Sequence, residues 1–319
     1  MLLQLLLFAV GLGVLYLGAE WLVRGAVSLA IRYGIRRLVI GVTVIGLGTS
    51  MPEFVVNFFA ALSHEDGLAL GNIVGSNICN IALILGTSAL ILPLIVSPST
   101  LRKEYTIMMA SMGVFYMMAL DGVISQGDGV LLVLGLLAFM AFLIIDSKRH
   151  TLEVDQDEIP DFERQALSTS RLKKVILVIG GIALLALGAR LMVVSAVAIA
   201  HWLGASSVVI GLTVVAIGTS LPELAASLVS VLKKEQDMSI GGVLGSNLLN
   251  ILFVIGIISS IQPLTVETES LGVHFPVMLG FGVLLLPLAW TSYRITRFEG
   301  GVLLTGFAAY MLYLMFPYV

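Results

Sequence analysis

The chain has 319 residues, 58% hydrophobic and 12% charged, with a mean hydropathy of +1.06. A soluble domain carries about 25% charged residues, so the composition excludes an ordinary soluble fold and points to a polytopic membrane protein, each span of which needs roughly 20 apolar residues. The net charge of −3 argues for no acidic or basic partner, nothing calls for a nucleic acid, and the single cysteine, Cys79, lies in an apolar run and leaves no intrachain disulfide to form.

The first apolar run, MLLQLLLFAVGLGVLYLGAEWLVRG, has no basic leading segment and no clear cleavage site, so it reads as a first span rather than a signal peptide. Within it Glu20 and Arg24 stand four apart, the spacing of an ion pair on one helical face. The second run contains VIGLGTSMPEFVVNFFAAL, with Gly46, Gly48 and Pro52 next to Glu53. The third contains GNIVGSNICNIALILG, with Ser76, Asn77 and Asn80. After two plainer runs, a mixed-charge stretch from 146 to 174 reads as a solvated connector. The phrases then return: VVAIGTSLPELAASLVSVL in the seventh run and GGVLGSNLLNILFVIG in the eighth. Breaks at 32–37, 63–67, 97–104, 121–128, 146–174, 204–207, 233–237, 267–270 and 292–297 divide the chain into ten predicted transmembrane helices. If these alternate sides, all the Lys and Arg residues except Arg24 and Arg190 fall on one side. The positive-inside rule makes that side the cytoplasm, with both termini outside and the linker inside.

The returning phrases belong to a duplication. At a constant offset of 170, Gly11 aligns with Gly181, Gly48-Thr49-Ser50 with Gly218-Thr219-Ser220, and Pro52-Glu53 with Pro222-Glu223. Further along, Gly75-Ser76-Asn77 meets Gly245-Ser246-Asn247, and Asn80 meets Asn250. Shared apolar composition does not put polar residues in register. Each copy holds five spans, an odd number, so the second copy enters the membrane upside down. The expected architecture is an all-α polytopic membrane protein of two inverted-topology five-helix repeats. The first covers 1–146 (motif 40–86) and the second 171–319 (motif 210–256), joined by a cytoplasmic linker, 147–170. Transporters built this way place their substrate near the midplane, on interrupted helices.

Of twenty acidic residues, only Glu20, Glu53 and Glu223 fall deep in predicted spans. Each carboxylate at a span centre costs about 2.5–3.5 kcal/mol on an insertion scale. Two at equivalent places in inverted repeats meet near the pseudo-twofold axis, where they repel unless a cation sits between them. Pro52 and Pro222 lack an N–H and crowd the preceding turn, which predicts a helix break and freed carbonyls at membrane depth. Thr49 shares a face with Glu53, and Ser76, Asn77 and Asn80 form a polar face on the next helix. The second copy repeats this with Thr219, Glu223, Ser246, Asn247 and Asn250. The donors are all oxygen, which suits Ca²⁺ and Na⁺ rather than zinc or copper. Asn77 and Asn247 fit interhelical hydrogen bonding as well as coordination, and the four His residues lie near span ends.

These paired GTSxPE and GSNxxN motifs resemble the alpha repeats of the calcium/cation antiporter superfamily, most closely its prokaryotic sodium/calcium exchanger branch, over nearly the whole chain. The resemblance implies ten helices, with the second, third, seventh and eighth enclosing the ions while the first and sixth slide across them. By position, Glu53 and Glu223 match the calcium-binding carboxylates. Thr49, Ser50, Ser76, Asn80, Thr219, Ser220, Ser246 and Asn250 match the sodium and calcium ligands, and the carbonyls of Gly46 and Ala216 match backbone ligands at the helix break. Some exchangers of this type carry an aspartate where this chain has Asn250, so this site has two carboxylates rather than three. The implied activity is transport, not catalysis: an inner-membrane antiporter that exports Ca²⁺ in exchange for Na⁺. A Ca²⁺/H⁺ antiporter using the same glutamates is the nearest alternative, and a passive cation channel the next. An intramembrane hydrolase lacks its nucleophile and base in the spans. The transported ions and the lipid bilayer are the expected partners, with no cofactor and no required oligomer.

Overall fold

Long apolar runs fold as helices in a bilayer because each backbone N–H and C=O then finds its partner within the segment. The computed structural model describes residues 2–33, 35–149, 171–202 and 216–315. Its principal helices are α1 (Leu2–Tyr33), α2 (Arg37–Leu62), α3 (Asp66–Ile91), α4 (Glu104–Ala119) and α5 (Gln126–Arg149). After the linker come α6 (Arg171–Trp202), α7 (Leu221–Leu232), α8 (Gln236–Ile261), α9 (Ser270–Trp290) and α10 (Arg297–Met315). Eight of these are long and apolar enough to cross a membrane; α4 and α7 are shorter. The expected break at 204–207, the stretch 210–215 of the second motif, and 150–170 of the linker lie outside the described residues. α5 runs to Arg149, past the boundary expected at 146.

Burial separates the helices into an inner and an outer set. In α8, 89% of the most apolar stretch is buried, and in α3 72%, against 22% in α1 and α5 and 17% in α10. One apolar core gathers α3 and α8 with α4, α5, α9 and α10. A smaller one joins α1 to α6, with contributions from α2, α7 and the start of α8.

Helices α1 and α6 lie antiparallel along their length, and glycine permits their closeness. A Cβ at Gly18 would sit 2.6 Å from the Leu185 nitrogen, and one at Gly181 2.6 Å from the Leu22 nitrogen. The contacts are reciprocal. Gly11 faces Gly188 and Gly18 faces Gly181, and the offset of 170 exchanges the two pairs.

The connections deviate from a purely helical chain. β1 (Leu94–Ile95) pairs antiparallel with β4 (Arg294–Ile295), and β2 (Val123–Ile124) with β3 (Leu264–Thr265). Each is only two residues long; where two connections run side by side, their backbone groups bond to each other. Each ribbon joins one loop from each copy. His64 and Lys234, also 170 apart, both take the left-handed conformation in the turns after α2 and α7.

On the side where alternation gathers the basic residues, Arg36 bonds Asp146 at the end of α5 (2.9 Å) and lies 3.9 Å from Glu104. Lys103 bonds the other Asp146 oxygen, and Arg37 pairs with Glu235 at 3.3 Å. Glu104, placed by the sequence at a loop edge, is fully buried at the start of α4. Glu20 pairs with Arg24 at 2.7 Å, as the spacing predicts, and also with Lys233 at 3.0 Å.

Candidate functional site

The two motifs bring α2, α3, α7 and α8 together, and their backbones depart from the α form in ways the prolines only partly predict. α2 continues through Pro52; its irregular turn lies upstream, in a π-helical segment Gly41–Ile45 ahead of the α-helical Gly46–Leu62. The expected break at Pro52 is therefore replaced by a wider segment about two to three turns earlier. In the second copy Ala216–Thr219 forms its own short turn and Ser220 stands between it and α7. Pro222 falls in the first turn of α7, where its missing N–H has no helical partner to lose. α3 and α8 each contain a π segment, Cys79–Leu85 and Asn250–Ile255, beginning beside the second asparagine of GSNxxN. Such turns widen a helix and recur at functional sites.

The side chains converge as an oxygen-rich pocket closed to solvent. Glu53 is 0% exposed and Glu223 4%, and the two carboxyls are electrostatic neighbours. Among the described residues, none of their four oxygens has a hydrogen-bond partner. Ser50 Oγ, both amide atoms of Asn80, and the Oδ1 atoms of Asn247 and Asn250 are likewise buried and unpartnered there. Thr49 Oγ1 donates to the Ile45 carbonyl (3.0 Å) and lies 3.3 Å from both the Gly46 carbonyl and Ser246 Oγ. With its proton directed at the backbone, the Thr49 oxygen keeps lone pairs for another partner. Ser220 Oγ lies 3.4 Å from Ser76 Oγ. Each pair joins the first motif of one copy to the second motif of the other.

α2 reaches α8 this closely because a Cβ at Gly245 would lie 2.5 Å from both Cα and O of Val42. Burying several unpartnered acceptors together costs free energy unless something positive meets them. Carboxylates, hydroxyls and amide oxygens are the donor set of Ca²⁺ and Na⁺. Among the described residues there is no group of three or more His, Cys, Asp or Glu arranged to hold a metal ion, so a cation held here would need neutral oxygens beside the two glutamates.

Ten of the twelve expected residues have described side chains within this constellation or flanking it. Gly46 is a backbone candidate by nature, and Ala216 opens the short helix before Ser220, with its side chain outside the described residues. Thr219 departs from its equivalent Thr49: its hydroxyl bonds Asn72 Oδ1 at 3.1 Å. Asn72 Nδ2 donates to Asn57 Oδ1 (3.1 Å), and Asn57 Nδ2 to the Glu53 carbonyl (2.7 Å). Asn57 and Asn72 are not among the expected residues, although Asn57 is four residues from Glu53 and Asn72 four from Ser76, the spacing of a shared helical face. A cavity of about 640 Å³ adjoins this chain, lined by Pro52, Pro222, Thr219, Arg190, Ile182 and Val193 among others.

The chain as a whole is similar to known proteins. The profile of the sodium/calcium exchanger protein family matches residues 3–145 and 173–316. The inner membrane protein YrbG of Escherichia coli (strain K12) is 35% identical over 308 residues, covering 96% of this chain and 94% of its own. The sodium/calcium exchanger MaX1 of Methanosarcina acetivorans is 30% identical over 343 residues, covering 98% of both. A solved structure of the sodium-calcium exchanger NCX_Mj, soaked with Na⁺ and Ca²⁺, superposes with a TM-score of 0.80 at 32% identity over 97% of each chain. The chain is a multi-pass membrane protein and belongs to the sodium/calcium exchanger family of the calcium/cation antiporter superfamily.

Proposed function

We propose that this protein is a Na⁺/Ca²⁺ antiporter of the prokaryotic inner membrane that exports Ca²⁺ by alternating access. Ten membrane-crossing helices in two inverted five-helix repeats, 1–146 and 171–319, carry it, with the 147–170 linker in the cytoplasm and both termini outside. The observation that carries the reading is the pair Glu53 and Glu223, buried side by side with four unpartnered oxygens. Together they match the charge of one Ca²⁺. Thr49, Ser50, Ser76, Asn80, Ser220, Ser246 and Asn250 complete the set, with the carbonyls of Gly46 and Ala216 and, more weakly, Thr219. The same oxygens, redistributed, hold Na⁺ instead, so the two ions compete for one site and their fluxes are coupled. The antiparallel α1–α6 pair, with a core separate from that of α3 and α8, supports a moving part that slides past the ion-binding helices. Reciprocal exchange of contacts under the offset of 170 supports the inversion.

The test is ⁴⁵Ca²⁺ uptake into proteoliposomes. An outward Na⁺ gradient is expected to drive uptake, and equal Na⁺ on both sides to abolish it. Uptake driven by a pH gradient and indifferent to Na⁺ would make H⁺ the counter-ion. Conductance without coupled counter-transport would make the protein a channel.

A further inference from the structure

Asn250 and Asn77 are both fully buried. Asn250 Nδ2 donates to Asn77 Oδ1 at 3.2 Å, from α8 to α3, and Asn77 Nδ2 points to Met278 Sδ of α9 at 3.7 Å. Among the described residues, Asn250 Oδ1 has no hydrogen-bond partner. An amide side chain has one end that only donates and one that only accepts, and a thioether has nothing to donate. The constraints therefore run one way. Met278 takes the NH₂ end of Asn77, which leaves its oxygen for Asn250. That oxygen takes the NH₂ end of Asn250, which leaves the Asn250 oxygen free. Ser246, one turn earlier on α8, faces Thr49 at 3.3 Å, so residue 250 lies on the face turned to the buried oxygens.

We propose that Asn77, held by Met278, is a positioning residue that keeps the Asn250 amide turned with its oxygen, and not its NH₂, toward the transported cation. The inference rests on the exchange reading above and deepens it. Released from Asn77, the NH₂ of Asn250 is free to turn toward the buried unpartnered acceptors and compete with the cation for them. The duplication argues that this is no by-product of the motif. Asn247, the equivalent of Asn77, donates to the Val243 carbonyl of its own helix at 3.1 Å. Asn80, the equivalent of Asn250, has neither amide atom partnered among the described residues. Among the described residues, one half alone carries the orientation. A carboxylate, whose two oxygens are alike, needs none.

The experiment measures half-saturating Ca²⁺ and Na⁺ and maximal rate for the parent and variants in proteoliposomes. Asn77→Leu is expected to raise both half-saturating concentrations about tenfold, the size of one lost buried hydrogen bond, while keeping most of the maximal rate. Met278→Leu, close in volume, frees Asn77 and is expected to raise them about threefold. In an Asn250→Asp background, Asn77→Leu is expected to shift half-saturating Ca²⁺ less than about threefold, because a carboxylate has no wrong way round. Unchanged half-saturation in Asn77→Leu and Met278→Leu overturns the proposal. So does an equal rise in the Asn250 and Asp backgrounds, which makes Asn77 a packing residue. Should Asn77→Leu fail to fold, Met278→Leu decides alone: a rise in both constants supports the proposal and no change overturns it. A parent without Na⁺-driven uptake sinks the exchange reading, whereas an exchanging parent with indifferent variants sinks only the positioning role.

Discussion

Glu53 and Glu223 would be among the worst residues to place where they are if the protein did nothing with cations. Each is buried, next to the other, and no described side chain neutralises either. Glu53→Gln and Glu223→Gln keep the side-chain volume and remove half the site's charge. Each is expected to reduce Ca²⁺ uptake to background while the purified protein stays monodisperse, checked by size exclusion alongside ⁴⁵Ca²⁺ uptake. Near-normal uptake in either would mean the carboxylates are not ligands. The two equivalent threonines should then differ. Thr49 is buried with its oxygen 3.3 Å from Ser246 Oγ, whereas Thr219 is less buried and its hydroxyl is turned to Asn72. Thr49→Val is expected to raise half-saturating Ca²⁺ about tenfold, and Thr219→Val less than about threefold. Equal effects would show that the motif imposes its symmetry on the ion after all.

At the scale of the element, close backbone approach sets the site's dimensions. α2 and α8 touch through glycine: a Cβ at Gly245 would reach 2.5 Å from Val42 backbone atoms, and one at Gly241 2.4 Å from the Leu38 carbonyl. Backbone cannot yield as a flexible side chain does, so Gly245→Ala must push the helices apart. Overpacking of this kind costs about 1–3 kcal/mol, and the shift also separates Thr49 from Ser246. A lower thermal midpoint in detergent and weaker Ca²⁺ binding are both expected. Gly280→Ala, where a Cβ meets nothing within 4 Å, is the control. A Gly245→Ala protein as stable and as tight as the control would contradict the packing described here.

Across the whole molecule, the sidedness of charge and the pairing of loops agree. The loops after α3 and α9, joined by β1 and β4, fall on one side under strict alternation, and those after α4 and α8, joined by β2 and β3, on the other. The first side is also where Arg36, Arg37 and Lys103 find Asp146 and Glu235. With ten crossings and that side cytoplasmic, a C-terminal alkaline phosphatase fusion should be active and a C-terminal green fluorescent protein dark. The same reporters inserted at 158 in the linker should give the opposite pattern. A fluorescent C-terminal fusion would reverse the orientation or change the number of crossings.

The residues by themselves determined the membrane class, the duplication and the two glutamates. Apolar length, polar residues in register and the cost of a carboxylate in lipid are properties of a linear string. Proline marked the right neighbourhood but not the right turn. A π segment differs from an α segment only in which carbonyl each N–H selects, and Gly41–Ile45, Cys79–Leu85 and Asn250–Ile255 have no distinguishing composition. The full burial of Glu104 is not legible in the sequence, because it depends on how α4 packs, beyond anything its position at the edge of an apolar run reveals. Tertiary structure alone decided which equivalents stay equivalent. Thr49 and Thr219 read identically in their motifs, as do Asn80 and Asn250, yet Asn72 and Asn77 each meet only one of the two. Neighbours on other helices decide the direction of a hydrogen bond, and a repeat in sequence does not oblige those neighbours to repeat.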